Sequence, residues 1–159
     1  SMTRTGMYSL YAFVFLYLTV GSFAQEPQHC DGDYVFNQSL GLCYKFHVEG
    51  KTFNEAMTAC EAEGAKMLVL RNQNEIKFIN TVISSQVGAG TNVYIGLRAL
   101  GVNRVWKLFN GQNGTYLPWG YAQPDNLNGS QNCMLIINVN YFDHECDCLH
   151  PFFCQRFIK

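Results

Sequence analysis

The chain has 159 residues, with 11 Lys and Arg against 12 Asp and Glu, a net charge of −1 at pH 7. That balance supplies no basic field for a phosphate backbone, which excludes nucleic acid as the natural partner. Charged residues make up 14% and aromatic residues another 14%, so the chain carries enough core material for one folded domain and is not disordered.

The first segment reads as an export signal over residues 1–24. Arg4 supplies a positive start, residues 7–20 are almost wholly apolar, and Ser22 and Ala24 place small side chains before a cut after Ala24. A run of 14 is short for a membrane span, which needs about 20 residues. The reading is therefore a cleaved leader, a secreted product without a stable span, and a mature domain over 25–159. Seven cysteines agree with an oxidising compartment. They form no pair of C-x-x-C motifs, which argues against a structural zinc site. Asn37, Asn113 and Asn128 each open an N-x-S/T acceptor for a surface glycan.

Residues 30–50 alternate apolar and polar around Cys30 and Cys43, with a turn at Ser39-Leu40-Gly41, and predict a hairpin. A helix follows. Thr52 and Glu55 form a capping box, and Phe53, Ala56, Met57 and Cys60 share one helical face. Gly64 closes it. The strand-like segment 67–70 leads to a second capping box, Asn72 with Glu75. Ile76, Ile79, Val82 and Ile83 then form the buried stripe of a second helix, ended by Gly88 and Gly90. Beyond it the chain turns to strands, at 92–98, 104–109, 133–139 and 151–158. Between Phe109 and Cys133 runs a long stretch of Gly, Asn and Pro carrying Trp119, Pro124 and Asp125. A loop of that length in a compact domain points to function. Helices first and strands after give an α+β domain.

In order along the chain, several marks resemble the C-type lectin-like domain over about residues 30–157. Cys30 followed by Cys43-Tyr44-Lys45-Phe46 is similar to the amino-terminal hairpin of the family's long form. Tyr94-Ile95-Gly96-Leu97 resembles its W-I-G-L strand. Gln123-Pro124-Asp125 matches its galactose-type Q-P-D motif, ten residues before Cys133, and Tyr141-Phe142-Asp143 stands where W-N-D does, five before Cys146. The resemblance implies a fold of two helices, antiparallel sheets and a long irregular binding loop. It also implies the pairs Cys30–Cys43, Cys60–Cys154 and Cys133–Cys146. Cys148 is left over: a competitor for Cys133, a buried free thiol, or an intermolecular bridge making a disulfide-linked dimer.

The resemblance further implies a Ca²⁺ ion in the long loop, its shell completed by two vicinal sugar hydroxyls. Gln123 and Asp125 fall on the two galactose-type ligands beside a cis Pro124, Gln131 falls where the family has Glu, and Asp143 falls on the motif aspartate. Phe142 replaces an Asn ligand. The site thus keeps two carboxylates, Asp125 and Asp143, and loses an amide, so Ca²⁺ binding is expected to be weak unless Glu145 or Asp147 helps. Leu127 stands where an aromatic ring commonly faces the sugar, leaving Tyr121, Tyr141 or Phe142 as substitutes, and a glycan at Asn128 would crowd the loop.

Two readings follow, neither of them an enzyme. One is a Ca²⁺-dependent lectin for glycans with galactose-like terminal sugars. The other is a lectin-like module with a degenerate ion site that binds a protein or another surface without Ca²⁺. The four histidines form no nucleophile or metal pattern. His144-Glu145 beside Asp143 comes nearest to catalytic machinery, and a solvated loop face accounts for it better.

Overall fold

The computed structural model describes residues 29–158; the leader read over 1–24 lies outside the described residues. The strands are β1 (Val35–Asn37), β2 (Leu42–Lys51), β3 (Lys66–Met67), β4 (Val93–Leu100), β5 (Val105–Leu108), β6 (Cys133–Ile137), β7 (Asn140–His144) and β8 (His150–Arg156). The helices are α1 (Phe53–Ala62) and α2 (Gln73–Gln86). Among the described residues no helix is long and apolar enough to cross a membrane.

The first hairpin closes because Asn37 Oδ1 accepts the Leu40 N–H at 2.9 Å while Leu40 and Leu42 turn into the core. β2 then pairs antiparallel with β8, which brings both ends of the domain together. The sheet runs β1-β2-β8-β4-β6-β7, with β3 on β8 and β5 on β4. The β4–β8 contact is parallel and the other strand pairs are antiparallel.

Helix α1 starts as its capping box dictates. Thr52 Oγ1 accepts from Glu55 N–H at 3.3 Å and the Glu55 carboxylate accepts from Thr52 N–H at 3.0 Å. Phe53, Ala56 and Cys60 are buried, and Gly64, at φ +68°, takes the left-handed position just past the end. Helix α2 differs from the expected box. Asn72 caps Asn74 and Glu75, but the Glu75 carboxylate accepts from the Arg71 backbone at 2.6 Å and pairs with its guanidinium at 2.7 Å. Glu75 is 2% exposed, and a buried carboxylate needs a charged partner more than a second cap.

Two further segments differ from the pattern-based reading. Of 67–70, only the start pairs as a strand; Leu68 then donates to the Phe153 carbonyl at 2.9 Å and accepts from Gly96 at 2.7 Å, wedging between β8 and β4. Gly96 makes that approach possible, since a Cβ there would lie 2.8 Å from the Met67 carbonyl oxygen. Residues 141–143, read as a motif, lie within a full strand: β7 alternates exposed, buried, half-buried, buried, half-buried, putting Tyr141 and Asp143 inward and His144 on the other face.

Three disulfides staple the domain: Cys30–Cys43, Cys60–Cys154 and Cys133–Cys146. Cys60–Cys154 ties α1 to β8 across 94 residues, for which the chain-entropy relation gives about 4.7 kcal/mol. Cys148 is a free, half-buried thiol.

Candidate functional site in the long loop

Residues 109–132 contain little regular structure, yet several contacts tie them to the sheet. Trp119 packs edge-on against buried Trp106 at 5.2 Å. Tyr141 donates its N–H to the Pro118 carbonyl at 2.8 Å, and Gly120 donates to the Tyr141 carbonyl at 2.9 Å. The loop thus lies against β7 as a rudimentary parallel bridge. Phe142 closes over Gly120: a Cβ at Gly120 would come within 2.4 Å of the Phe142 ring. The side chain that stands at the amide position is therefore a packing element of the loop.

The four motif residues come together. The Gln123–Pro124 bond is cis, and Gln123 Oε1 accepts the Asp143 N–H at 3.3 Å. The Asp143 carboxylate has no solvent exposure. Its Oδ1 accepts from Asp125 N–H at 3.0 Å, and its Oδ2 accepts from Asn126 N–H at 2.8 Å. Gln131, 7% exposed, accepts the Leu127 N–H through Oε1 at 2.9 Å. Asp125 Oδ1 accepts the same N–H at 3.2 Å, while the residue itself stays exposed.

The residue that sequence reasoning missed is Arg104. It is the last residue of the β4–β5 turn, at φ +48°, and its Nη2 pairs with Asp143 Oδ2 at 2.8 Å. The same Nη2 donates to the Gln131 carbonyl. The guanidinium lies 5.6 Å from the Trp106 ring centre, within the range of a cation–π contact. A guanidinium thus reaches the carboxylate that the resemblance assigns to calcium. The only advance signal was indirect: Gln131 and Phe142 had removed a charge and an oxygen, so the loop needed a different cation or none.

The donor set as built does not fit Ca²⁺. The ion takes six to eight oxygen ligands. Here the Asp143 oxygens, Gln131 Oε1 and Gln123 Oε1 already accept hydrogen bonds within the loop, and Phe142 offers no oxygen. Asp125 and Asp143 bring two negative charges and Arg104 returns one positive charge, so an arriving dication would face a net charge of only −1. Glu145 does not turn to help. Its carboxylate lies 3.5 Å from Ser130 Oγ and 3.9 Å from Cys148 Sγ, and Asp147 is exposed.

Around the motif, Tyr121 is 99% and Leu127 58% exposed, whereas Tyr141 is wholly buried in the core. Of the three candidate rings, Tyr121 is the one free to meet a ligand. Asn113 and Asn128 are exposed and Asn37 is half-buried at the first hairpin. Asp143 and His144 face opposite sides of β7, so they do not assemble a proton-transfer pair.

The family profile described as the lectin C-type domain matches residues 49–156. A C-type lectin galactose-binding isoform of Pseudechis australis is 30% identical over 122 residues, covering 72% of this chain and 77% of that one. Among solved structures, the cow CD23 C-type carbohydrate-recognition domain, studied with a GlcNAc2Man3 oligosaccharide, superposes with a TM-score of 0.73 at 21% identity, over 84% of this chain and 99% of that one. A calcium-independent type II antifreeze protein superposes with a TM-score of 0.71 at 20% identity, over 85% and 99%. The fold, the three disulfides and the profile match agree, and the chain belongs to the C-type lectin domain family.

Proposed function

We propose that this chain is a secreted carbohydrate-recognition module that holds galactose-like sugars at the long loop without a resident calcium ion. The observation that carries the reading is the buried Arg104–Asp143 pair at 2.8 Å. It supplies from within the chain the positive charge that the implied Ca²⁺ would otherwise bring. Gln123 and Asp125 flank Pro124 at the loop surface, where an amide and a carboxylate can accept and donate hydrogen bonds to vicinal hydroxyls. Tyr121, two residues before Gln123 and almost wholly exposed, is free to receive the apolar face of a sugar ring. The galactose-binding relative supports the sugar class, and the antifreeze neighbour shows that this fold is compatible with calcium independence in that protein. Without an ion to order the hydroxyls, affinity rests on a few hydrogen bonds of about 0.5–3 kcal/mol each and one stacking contact. That sum corresponds to binding near the millimolar range.

Retention on immobilised lactose in the presence of chelator tests this. Wild type should be retarded equally with chelator and with Ca²⁺, and Asp125→Ala and Tyr121→Ala should both lose retention while staying folded. A second reading, a surface that binds protein rather than sugar, draws on exposed Leu127 at the position of the missing ring. It gains if wild type ignores the column under both conditions.

A further inference from the structure

We propose that His144, Cys148 and His150 form a transition-metal site suited to Zn²⁺. His144 ends β7 and His150 begins β8, and the five residues between them fold back so that the three side chains meet. The two imidazole rings lie 5.0 Å apart at 64°. One ligating atom from each of the three residues lies within 4.8 Å of the others. Two imidazole nitrogens and a thiolate are a donor set that zinc takes at about 2.0–2.1 and 2.3 Å. A tetrahedral ion with those bonds holds its ligand atoms roughly 3.4–3.6 Å apart, so closure asks for movements of about an ångström. Glu145, whose Oε2 is 3.9 Å from Cys148 Sγ, stands ready as the fourth ligand, or water completes the shell.

The backbone that carries these groups is already held. Cys146 is bound to Cys133, and its carbonyl accepts the Phe53 N–H at 2.9 Å. The buried Tyr94 hydroxyl lies 2.7 Å from the Glu145 carbonyl oxygen and 3.1 Å from that of Cys148. A loop pinned at these positions presents its side chains with little left to order, which favours binding an ion over random coordination. His150 also carries an orphan: its Nε2 is buried and has no hydrogen-bond partner, a costly arrangement that a bound ion or any other partner would relieve. Soft sulfur and borderline nitrogen select zinc over calcium or magnesium, so this site and the long loop would not compete for the same ion. His144 and Asp143 point to opposite faces of β7, so the two sites draw on different sides of that strand, with the Glu145 carboxylate between Ser130 of the long loop and Cys148. Cysteine spacing could not reveal it, since two of the ligands are histidines. Binding exchanges the Cys148 thiol proton for the metal and releases that proton to solvent.

The test uses the secreted chain stripped by chelator. Co²⁺ titration should give intense tetrahedral d–d bands together with a thiolate-to-cobalt charge-transfer band. Calorimetry should give one Zn²⁺ per chain. Zn²⁺ should slow alkylation of Cys148 by more than about tenfold. Cys148→Ser and His144→Asn, each checked for native circular dichroism, should weaken Zn²⁺ by more than the 10–100-fold typical of residues outside the ligand shell. A cobalt spectrum without the charge-transfer band, or alkylation unchanged by Zn²⁺, overturns the site. So does a wild-type chain whose Cys148 already sits in a disulfide to a second copy.

Discussion

Replacing Arg104 by Met removes the guanidinium while keeping most of the side chain's length over Trp106. The Asp143 carboxylate is then left without a counter-charge at zero exposure, Arg104 itself being 22% exposed. Breaking a buried pair by deleting one partner costs about 3–5 kcal/mol. Asp143 keeps the N–H groups of Asp125 and Asn126, which places the loss at the lower edge, about 3 kcal/mol. For the 130 residues from 29 to 158, an unfolding entropy near 2.1 cal/mol/K per residue makes that a fall in Tm of about 11 °C. Calcium distinguishes this account from simple damage. With the guanidinium gone, the variant presents two carboxylates and no internal cation. A site with Kd near 10⁻³ M would regain about 1.4 kcal/mol, roughly 5 °C, in about 10 mM Ca²⁺. Calorimetric scans of wild type and Arg104→Met, each in chelator and in Ca²⁺, decide it. Wild type should be flat and the variant should be rescued. Equal stabilisation of both by Ca²⁺, or an Arg104→Met variant as stable as wild type in chelator, would refute the reasoning.

Further outcomes follow from the same structure. Removing the 94-residue bridge by Cys60→Ala with Cys154→Ala should cost about 4.7 kcal/mol in denaturant melts, well above the roughly 3 kcal/mol expected for Cys30–Cys43. Gly120→Ala should cost about 1–3 kcal/mol as its methyl meets the Phe142 ring, and Phe142→Val should relieve much of that. Burial holds the His47 imidazole below its ordinary value of 6.5; Glu63 opposes this and Lys45 and Lys51 reinforce it. The unfolded imidazole therefore binds its proton more strongly, so His47 contributes its stability above about pH 6.5 and loses it as pH falls below that value. Chemical melts between pH 7.5 and 5 should show a shallower decline for His47→Gln than for wild type.

Much of the fold was legible because local chemistry and tertiary need agreed. Thr52 with Glu55 marked one helix start, and of the stripe expected on α2, Ile76, Ile79 and Ile83 are buried while Val82 is half-buried. The long loop was legible as a place but not as a mechanism. Gln123, Asp125, Gln131 and Asp143 do converge, yet the partner of Asp143 is a residue 39 positions earlier. Arg104 reads in sequence only as the start of a strand. Its role depends on a left-handed turn and on a contact between segments that no local pattern encodes. The Glu75 carboxylate was misread for a related reason: its burial against Arg71 is a tertiary fact that outweighs the cap its spacing suggested. His144 read as part of a solvated loop face because its meeting with Cys148 and His150 depends on where the end of β7 and the start of β8 lie, which no local pattern encodes.

Direct titration of Ca²⁺ into the wild-type protein by calorimetry shows whether the long loop carries its cation within the chain. The account predicts no saturable binding up to about 1 mM, the weak end of the range for extracellular modules. It predicts that Arg104→Ser combined with Gln131→Glu and Phe142→Asn creates a site in the 10⁻⁴–10⁻³ M range by removing the internal charge and restoring two ligands. Stoichiometric wild-type binding at about 10⁻⁴ M or tighter, abolished by Asp143→Asn, would contradict it.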